Sequence, residues 1–438
     1  MMFRYYLDLS WRSLMRTPLV SALMILAIAI GIGVTMICLS VYHMMSLDPI
    51  PEKSSQLYSV QLQIMDGDHS WHSSDNLPFQ LTYQDANNLL ATDLPYQRSA
   101  MFKSGFSVHL DNSTIKPSLE VTRITTRDIF SMFNLSFVYG GAWSAKQELN
   151  AAPVVVIAKS LNDKLFGGAN SVGKTINLDH ITVQIVGVIH DWPTHIKYYD
   201  LNNGSFVKAE KIFLPFSLVE PHEIGTWGNT NGWKYEPVKN HIDLLQSEKV
   251  WLQFWVELPT AHDVHQFENF LMAYMQTQQE LGRFNRKQLE YALRDIKQVM
   301  RYRKVVSEDN EILVALSFMF LVVCLANILA LLLAKFLKRA PEVGVRRALG
   351  ASKIQIFYQH LVEVALLGAM GGVTGIAIAQ LGLLGVRHSY QYFDALATMD
   401  TTMLLAAPII AISSCIIAGL YPAWLVCNTS PATHLKTQ

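Results

Sequence analysis

The stretch Gly168-Ala-Asn-Ser-Val-Gly173-Lys174-Thr175 fits, letter for letter, the loop that cradles nucleotide phosphates. Such a loop works only between a buried strand and a helix N-terminus, where backbone amides and the helix dipole converge on the phosphates. Here Thr175–Asp179 and Ile181–Val188 alternate as strands do, and no helix opens after Lys174. No acidic residue closes a hydrophobic strand where a magnesium ligand would stand. The match reads as a glycine turn between strands, and no cofactor is expected in this chain. The histidine pairs His69/His72 and His262/His265 have no cysteines beside them and no carboxylates at ligand spacing. They read as surface residues, and no metal is expected. No nucleophile elbow and no His-Glu-x-x-His occurs, so no catalytic residue is named and enzymatic chemistry is not expected. With 35 basic and 35 acidic residues the chain carries no net charge, and no nucleic-acid partner is expected.

What remains is mechanical. From Leu331 to Ser352 an apolar run passes straight into a short basic segment with sharp punctuation at both ends. Pro341 presets the φ of a first helical turn, and Glu342 meets the positive end of the helix dipole. Gly350 is a natural stop. Ser352 and Gln355 then form a capping-box pair that starts another helix, with Ile354, Phe357 and Leu361 leading onward. A loop needed only to halt membrane insertion requires charge but no caps. The caps favour a docking element that transmits force to the helices on either side.

Those flanking helices must be membrane spans. Leu19–Val41, Ile312–Ala334, Leu361–Val386 and Met403–Leu425 are almost uncharged runs of about 23 residues or more. At about 1.5 Å per residue, 23 residues cover about 34 Å and cross a hydrocarbon core of about 30 Å. The first run is too long for a signal peptide and lacks a cleavage pattern after it, so it reads as an anchor. Arg4, Arg12 and Arg16 precede the first span, and Lys335, Lys338, Arg339, Arg346, Arg347 and Lys353 lie between the second and third. Only Arg387, against Asp394 and Asp400, follows the third. The positive-inside rule then places both termini and the basic loop in the cytoplasm.

The resulting plan is an α-helical membrane protein with four transmembrane helices and a large mixed-sheet α/β domain between the first and second. Residues 1–17 read as an amphipathic helix on the inner surface, its arginines near lipid phosphates, with Thr17 as N-cap and Pro18 opening the next helix. The spans are 18–42, 312–336, 361–386 and 403–426. The basic loop is 337–360, a short external loop 387–402 and a tail 427–438. Within the external segment 43–311, residues 46–149 and 250–282 form one subdomain and 150–249 an inserted second. Residues 283–311, with Leu289, Leu293, Ile296 and Met300 at helical spacing, read as a helical stalk. Gln56–Ile64, Val121–Thr125, Val154–Ile157, Val183–Ile189 and Trp251–Leu258 read as strands. Residues 192–249 read as loop-rich. All four cysteines lie in or beside the spans, so the external domain folds without disulfides. Small residues recur four apart at Ala27/Gly31 and Ala29/Gly33 in the first span, and at Gly368/Gly372 and Gly371/Gly375 in the third. They permit close helix packing within one chain or across a dimer. Few polar residues interrupt the spans (Asn327, Gln380, Ser413, Ser414 and Glu363), too few for a hydrophilic conduit.

These features resemble the MacB/FtsX-like permeases of ATP-binding-cassette systems over essentially the whole chain. Glu342-Val-Gly-Val-Arg-Arg-Ala-Leu-Gly-Ala-Ser352 is similar to that family's cytoplasmic loop. Gly371-Gly372-x-x-Gly375 and Tyr421-Pro422-Ala423-Trp424 support the likeness, as do Thr126–Phe130, Gly140-Gly141, Leu165–Gly167 and Val172–Lys174 outside. The resemblance implies that Pro341, Glu342, Val343, Gly344, Arg346, Arg347, Ala348, Leu349, Gly350 and Ala351 couple to an ATPase. It implies helix packing at Gly31, Gly33, Gly368, Gly371, Gly372 and Gly375. It further implies a bacterial inner-membrane protein and a dimer with a second copy or a paralogue. ATP and magnesium would be bound by a partner ATPase, expected as a separate subunit because only about 18 residues precede the first span. Motion of the loop would reshape the periplasmic domain. The function implied first is efflux of antimicrobial peptides, antibiotics or other amphiphiles through a periplasmic adaptor and a TolC-like outer-membrane channel. Release of lipoproteins and FtsX-like regulation of cell-wall hydrolases are the alternatives, the large external domain leaning away from the second. A sensor without transport is disfavoured by the capped loop.

Overall fold

A computed structural model describes residues 2–111, 114–192, 196–389 and 399–428. The expected external loop at 390–398 and the tail from 429 onward lie outside the described residues. The chain divides into two compact units: Met1–Leu47 with Val306–Gln438, and Asp48–Val305 between them.

The first unit is helical. An interfacial helix, Met2–Arg16, is followed by the first span, Pro18–Ser46. The second span is Glu308–Lys338, the basic helix Ala340–Ala348, the third span Lys353–Ser389 and the fourth Thr401–Asn428. Each span is long and apolar enough to cross a membrane. Leu19, Leu23, Met319, Val322, Leu381 and Ile409 face outward, as a hydrocarbon surround requires. Pro18 opens the first span as expected, but Thr17 does not cap it: its side chain makes no cap bond and its hydroxyl has no partner. Ser21 braces the junction instead, its hydroxyl donating to the Leu14 carbonyl at 3.1 Å.

The small residues bring the spans together within one chain. A Cβ on Gly31 would meet Leu321 and Cys324 of the second span at 3.0 and 3.2 Å. Gly371 and Gly375 admit Ile28 and Ile32 of the first span, and Gly33 admits Ile378 of the third. Gly368 and Gly372 lie against the fourth, where a Cβ would stand 2.9 Å from Ile412 Cα and 3.0 Å from Ala411 Cβ. The third span is therefore clasped on one side by the first and on the other by the fourth, and its two glycine pairs serve different neighbours.

The second unit is built on one ten-stranded sheet. Its strands are β1 (Leu57–Leu62), β2 (Arg98–His109), β3 (Ser118–Thr125), β4 (Phe137–Gly140), β5 (Val154–Ala158), β6 (Thr175–Leu178), β7 (Ile181–Ile189), β8 (Ile212–Pro215), β9 (Gln253–Glu257) and β10 (Tyr291–Asp295). They run in the order β10-β1-β9-β2-β3-β8-β5-β7-β4, with β6 bridging β2 and β7. β3–β8 and β5–β7 are parallel and the other pairs antiparallel, so the sheet is mixed. Alternation along each strand feeds two cores. Phe102, Val155, Ile157, Leu214 and Val256 pack on one face with helices Tyr83–Ala91 and Ala261–Glu280. Met101, Val154, Val156, Phe213 and Trp255 pack on the other with Ile129, Phe133, Tyr199 and Ile296.

Two expectations are corrected. Residues 150–249 are not set apart as an inserted subdomain, because β5, β7 and β8 continue the sheet that the flanking segments begin. The region 192–249 is loop-rich as expected, and it also supplies β8 and the helix His241–Gln246. The stalk is not a continuous helix. Tyr291–Asp295 is an edge strand with Leu293 opposite Val60, Asp295 caps a short helix Ile296–Tyr302, and Lys304 turns through a left-handed φ of 47° before the second span. Leu289 and Leu293 satisfy both the strand period and the helix period, and pairing with β1 decided between them.

Candidate functional site

The basic helix is fixed at both ends by backbone geometry. Pro341 and Glu342 occupy its first turn. At the other end Gly350 takes a φ of 102°, the Ala351 amide donates to the Arg346 carbonyl at 3.0 Å and the Gly350 amide to Arg347 at 3.1 Å. This is the paired closure that glycine at a helix end permits. Immediately after it, the Ser352 amide donates to Gln355 Oε1 at 3.1 Å and the Gln355 amide to Ser352 Oγ at 3.2 Å. The predicted capping box is formed, and the third span starts without slack.

Beneath the helix lies a buried charged node. Glu363 of the third span accepts from Lys335 Nζ of the second span at 2.7 Å, both side chains almost wholly buried. Ser13 of the interfacial helix donates its hydroxyl to Glu363 Oε1, and Arg339 donates to Ser13 Oγ and, at 3.0 Å, to the Ser13 carbonyl. The Arg339 guanidinium is 4.0 Å from Glu363, and Lys335 also reaches Ser21 Oγ of the first span at 3.5 Å. One carboxylate thus ties the interfacial helix, the first three spans and the residue that opens the basic helix. An unpaired charge here would cost several kcal/mol, whereas a paired one costs far less.

The expected coupling residues divide by orientation. Arg346 turns inward to Glu342 at 2.6 Å and to Gln359 Oε1 at 3.1 Å. Arg347 reaches the Cys427 carbonyl of the fourth span at 3.4 Å. Val343 and Gly344 are buried. Pro341, Val345, Ala348 and Leu349 face outward as an apolar stripe, with Val345 49 % and Leu349 84 % exposed. The arginines brace the helix and the stripe is what it presents.

Sequence reasoning used Lys335 and Arg339 for membrane orientation, counted Glu363 among the polar residues of the spans, and passed over Ser13. A carboxylate inside an apolar span demands a cation nearby, and Lys335 in the last turn of the preceding span was the candidate. The glycine turn at 168–174 stands between the helix Lys159–Phe166 and β6. It was expected between two strands, and its order is the reverse of the strand–loop–helix that holds phosphate. Lys174 lies over the Phe166 ring at 4.9 Å. His69 packs edge-on against Trp233 and His265 contacts Glu268.

The MacB-like periplasmic core domain matches residues 21–270, and the FtsX-like permease C-terminal domain matches 314–431. The pyoverdine export ATP-binding/permease protein PvdT of Pseudomonas aeruginosa is 24 % identical over 312 residues, 71 % of this chain and 41 % of that protein. The macrolide export ATP-binding/permease protein MacB of Pasteurella multocida is 23 % identical over 422 residues, 95 % of this chain and 58 % of that protein. The chain thus spans about half the length of the curated relatives it matches. The crystal structure of the periplasmic region of MacB from Actinobacillus actinomycetemcomitans aligns with a TM-score of 0.38 at 14 % identity, over 58 % of this chain and 95 % of that one. With one permease-type match on the external unit and another on the last three spans, the chain belongs to the MacB/FtsX-like permeases of ABC transporters.

Proposed function

We propose that this chain is the force-transmitting permease of a MacB-like ABC transporter in a bacterial inner membrane, with both termini and the basic helix in the cytoplasm. An ATPase on a separate subunit binds ATP and magnesium, docks on the apolar stripe Pro341, Val345, Ala348 and Leu349, and moves the basic helix when its two halves close. The node at Glu363 passes that motion to the spans, and the permease works as a dimer. The cargo is a small amphiphile or peptide taken up on the periplasmic side and handed to an adaptor and a TolC-like channel. The names of the two relatives above, one exporting pyoverdine and one macrolides, support an amphiphile over a lipoprotein.

The observation that carries this reading is the contrast within one nine-residue helix. Its charges are paired with one another, with Gln359 and with the fourth span, while its most exposed side chains are apolar, as a docking lever requires. Val345→Asp with Leu349→Asp tests it. Both side chains are exposed, so stability should stay within about 0.5 kcal/mol of wild type. Co-purification of the ATPase and stimulation of its ATP hydrolysis should both fall at least tenfold. Full ATPase retention by this variant would end the docking claim.

A further inference from the structure

Between the interfacial helix, the basic helix and the third span lies an open pocket of about 130 Å³. Four arginines reach it from different elements: Arg12 and Arg16 from the interfacial helix, Arg339 from the junction, and Arg346 from the basic helix. The only carboxylate on its wall is Glu342, 2.6 Å from Arg346 and 3.7 Å from Arg16. Asp8, off the wall, pairs with Arg12 at 2.9 Å, and Glu363 behind it lies 4.0 Å from Arg339, so the four guanidinium groups and Lys335 face three carboxylates and the site keeps a net positive charge. The floor is His360, 3 % exposed, and neither of its ring nitrogens has a hydrogen-bond partner. Nδ1 lies 3.8 Å from Glu363 Oε2, beyond hydrogen-bond reach. Nδ1 thus faces the Glu363 carboxylate and the ring centre lies 4.2 Å from that of Phe336, which leaves Nε2 as a buried polar atom without a partner below the converging arginines.

We infer that this pocket holds the phosphate of an anionic phospholipid from the inner leaflet, and that the headgroup clamps the interfacial helix to the basic helix. Arginine suits the task because its planar fork donates two parallel bonds to phosphate oxygens. The source is lipid because Trp11 and Met15, 47 % and 64 % exposed, alternate with Arg12 and Arg16 on the same helix. They offer an acyl chain an apolar path beside the charged mouth. With the phosphate in place, Arg16 and Arg346 share an anion stronger than Glu342. Without it, Glu342 alone bridges the two helices, 2.6 Å from Arg346 but 3.7 Å from Arg16. The lipid thus sets how firmly the interfacial helix follows the basic helix. This rests on the proposed function only for which leaflet supplies the lipid.

The test is native mass spectrometry of the full chain in detergent, titrated with phosphatidylglycerol, with phosphatidylcholine and with inorganic phosphate, no ATPase being present. Phosphatidylglycerol should be retained at one molecule per chain with at least tenfold preference over phosphatidylcholine. Arg16→Gln with Arg346→Gln should weaken that retention by about ten- to thirty-fold, at the strength usual for two basic residues on an anionic lipid. Arg16→Lys with Arg346→Lys, which keeps the charge, should stay within about threefold, and so excludes a folding defect as the cause. Arg4→Gln, a charge on the same helix that is not on the pocket wall, should change nothing. Equal retention of the two lipids, an Arg4→Gln loss as large as the pocket loss, or displacement of the lipid by millimolar inorganic phosphate would each overturn the inference. Because the assay omits the ATPase, failure of docking and failure of lipid binding are read separately.

Discussion

Each unit of this molecule buries a charged cluster, and the two are built for different ends. In the external unit Arg123 of β3 bonds Asp200 at 2.7 Å and pairs with Glu210, while Lys197 reaches Glu210 at 2.5 Å and Tyr199 donates to it at 2.7 Å. Two cations face two anions, and Arg123 lies 5.1 Å from the centre of the Tyr199 ring. Burial alone would raise the Glu210 carboxyl, but Arg123 and then Lys197 outweigh it and hold it at about 2. In the membrane unit Lys335 and Arg339 share the single carboxylate of Glu363, whose second oxygen has no hydrogen-bond partner. The external cluster is balanced in charge and locks a 3-10 turn, Tyr198–Asn203, onto one face of the sheet. The membrane node is unbalanced and joins the helices that the proposed mechanism sets in motion. A balanced cluster fixes one arrangement, whereas a cation-rich node at the end of two spans leaves another arrangement within reach.

The largest effect should come from Arg123→Met, which strands Asp200 and Glu210 without a guanidinium inside the sheet face. Removing one partner of a buried set costs about 3–5 kcal/mol. Unfolding followed by tryptophan fluorescence reports on this unit, since seven of the nine tryptophans lie within it. Glu363→Gln should cost less, about 2–3 kcal/mol, because it leaves Lys335 without a counter-charge but keeps an amide oxygen that accepts from Lys335 and Ser13. Its functional cost should be the greater: ATP hydrolysis by a bound ATPase should lose its dependence on cargo while binding persists. If Glu363→Gln destabilised the chain as much as Arg123→Met and left coupling intact, the node would be merely structural and the contrast between the units would fail.

The same contrast explains what could be read without coordinates. Spans announce themselves by length, and the caps at Pro341, Gly350 and Ser352 are local chemistry, so the membrane plan and the basic helix were legible. β2 was not named, because its alternation Ala100, Phe102, Phe106, Val108 is broken by Ser104 and flanked by Lys103 and Gly105. β8 was not legible, because four residues ending in proline gain their identity only by lying parallel to β3. The node was hidden for a related reason. Lys335, Arg339 and Glu363 lie within 28 positions of one another, but Ser13 is 350 positions from Glu363, and the packing of Gly371 and Gly375 on the first span draws the third span toward the N-terminal helices.

The smallest predicted effect isolates burial from pairing. Glu148, in the short helix Ala145–Leu149 of the external unit, is answered only weakly by the Arg127 guanidinium and not by a pair of buried cations as Glu210 is. Burial raises its carboxyl to about 7, Asp128 adds to the rise, and the Arg127 amide, donating at 3.1 Å, only partly opposes it. The folded state therefore binds this proton more tightly than the unfolded state, whose carboxyl titrates near 4.5. Stability contributed by the protonated form is complete below about pH 4.5 and is lost as pH rises through about 7. Glu148→Gln keeps an acceptor for the Arg127 amide and removes the charge. It should leave the melting temperature unchanged at pH 4.5 and raise it by a degree or two at pH 8, an effect of under about 1 kcal/mol. Equal melting temperatures for the two proteins at pH 8 would show that the Arg127 amide compensates the buried charge as well as Arg123 and Lys197 do, and the distinction between balanced and unbalanced burial would lose its clearest case.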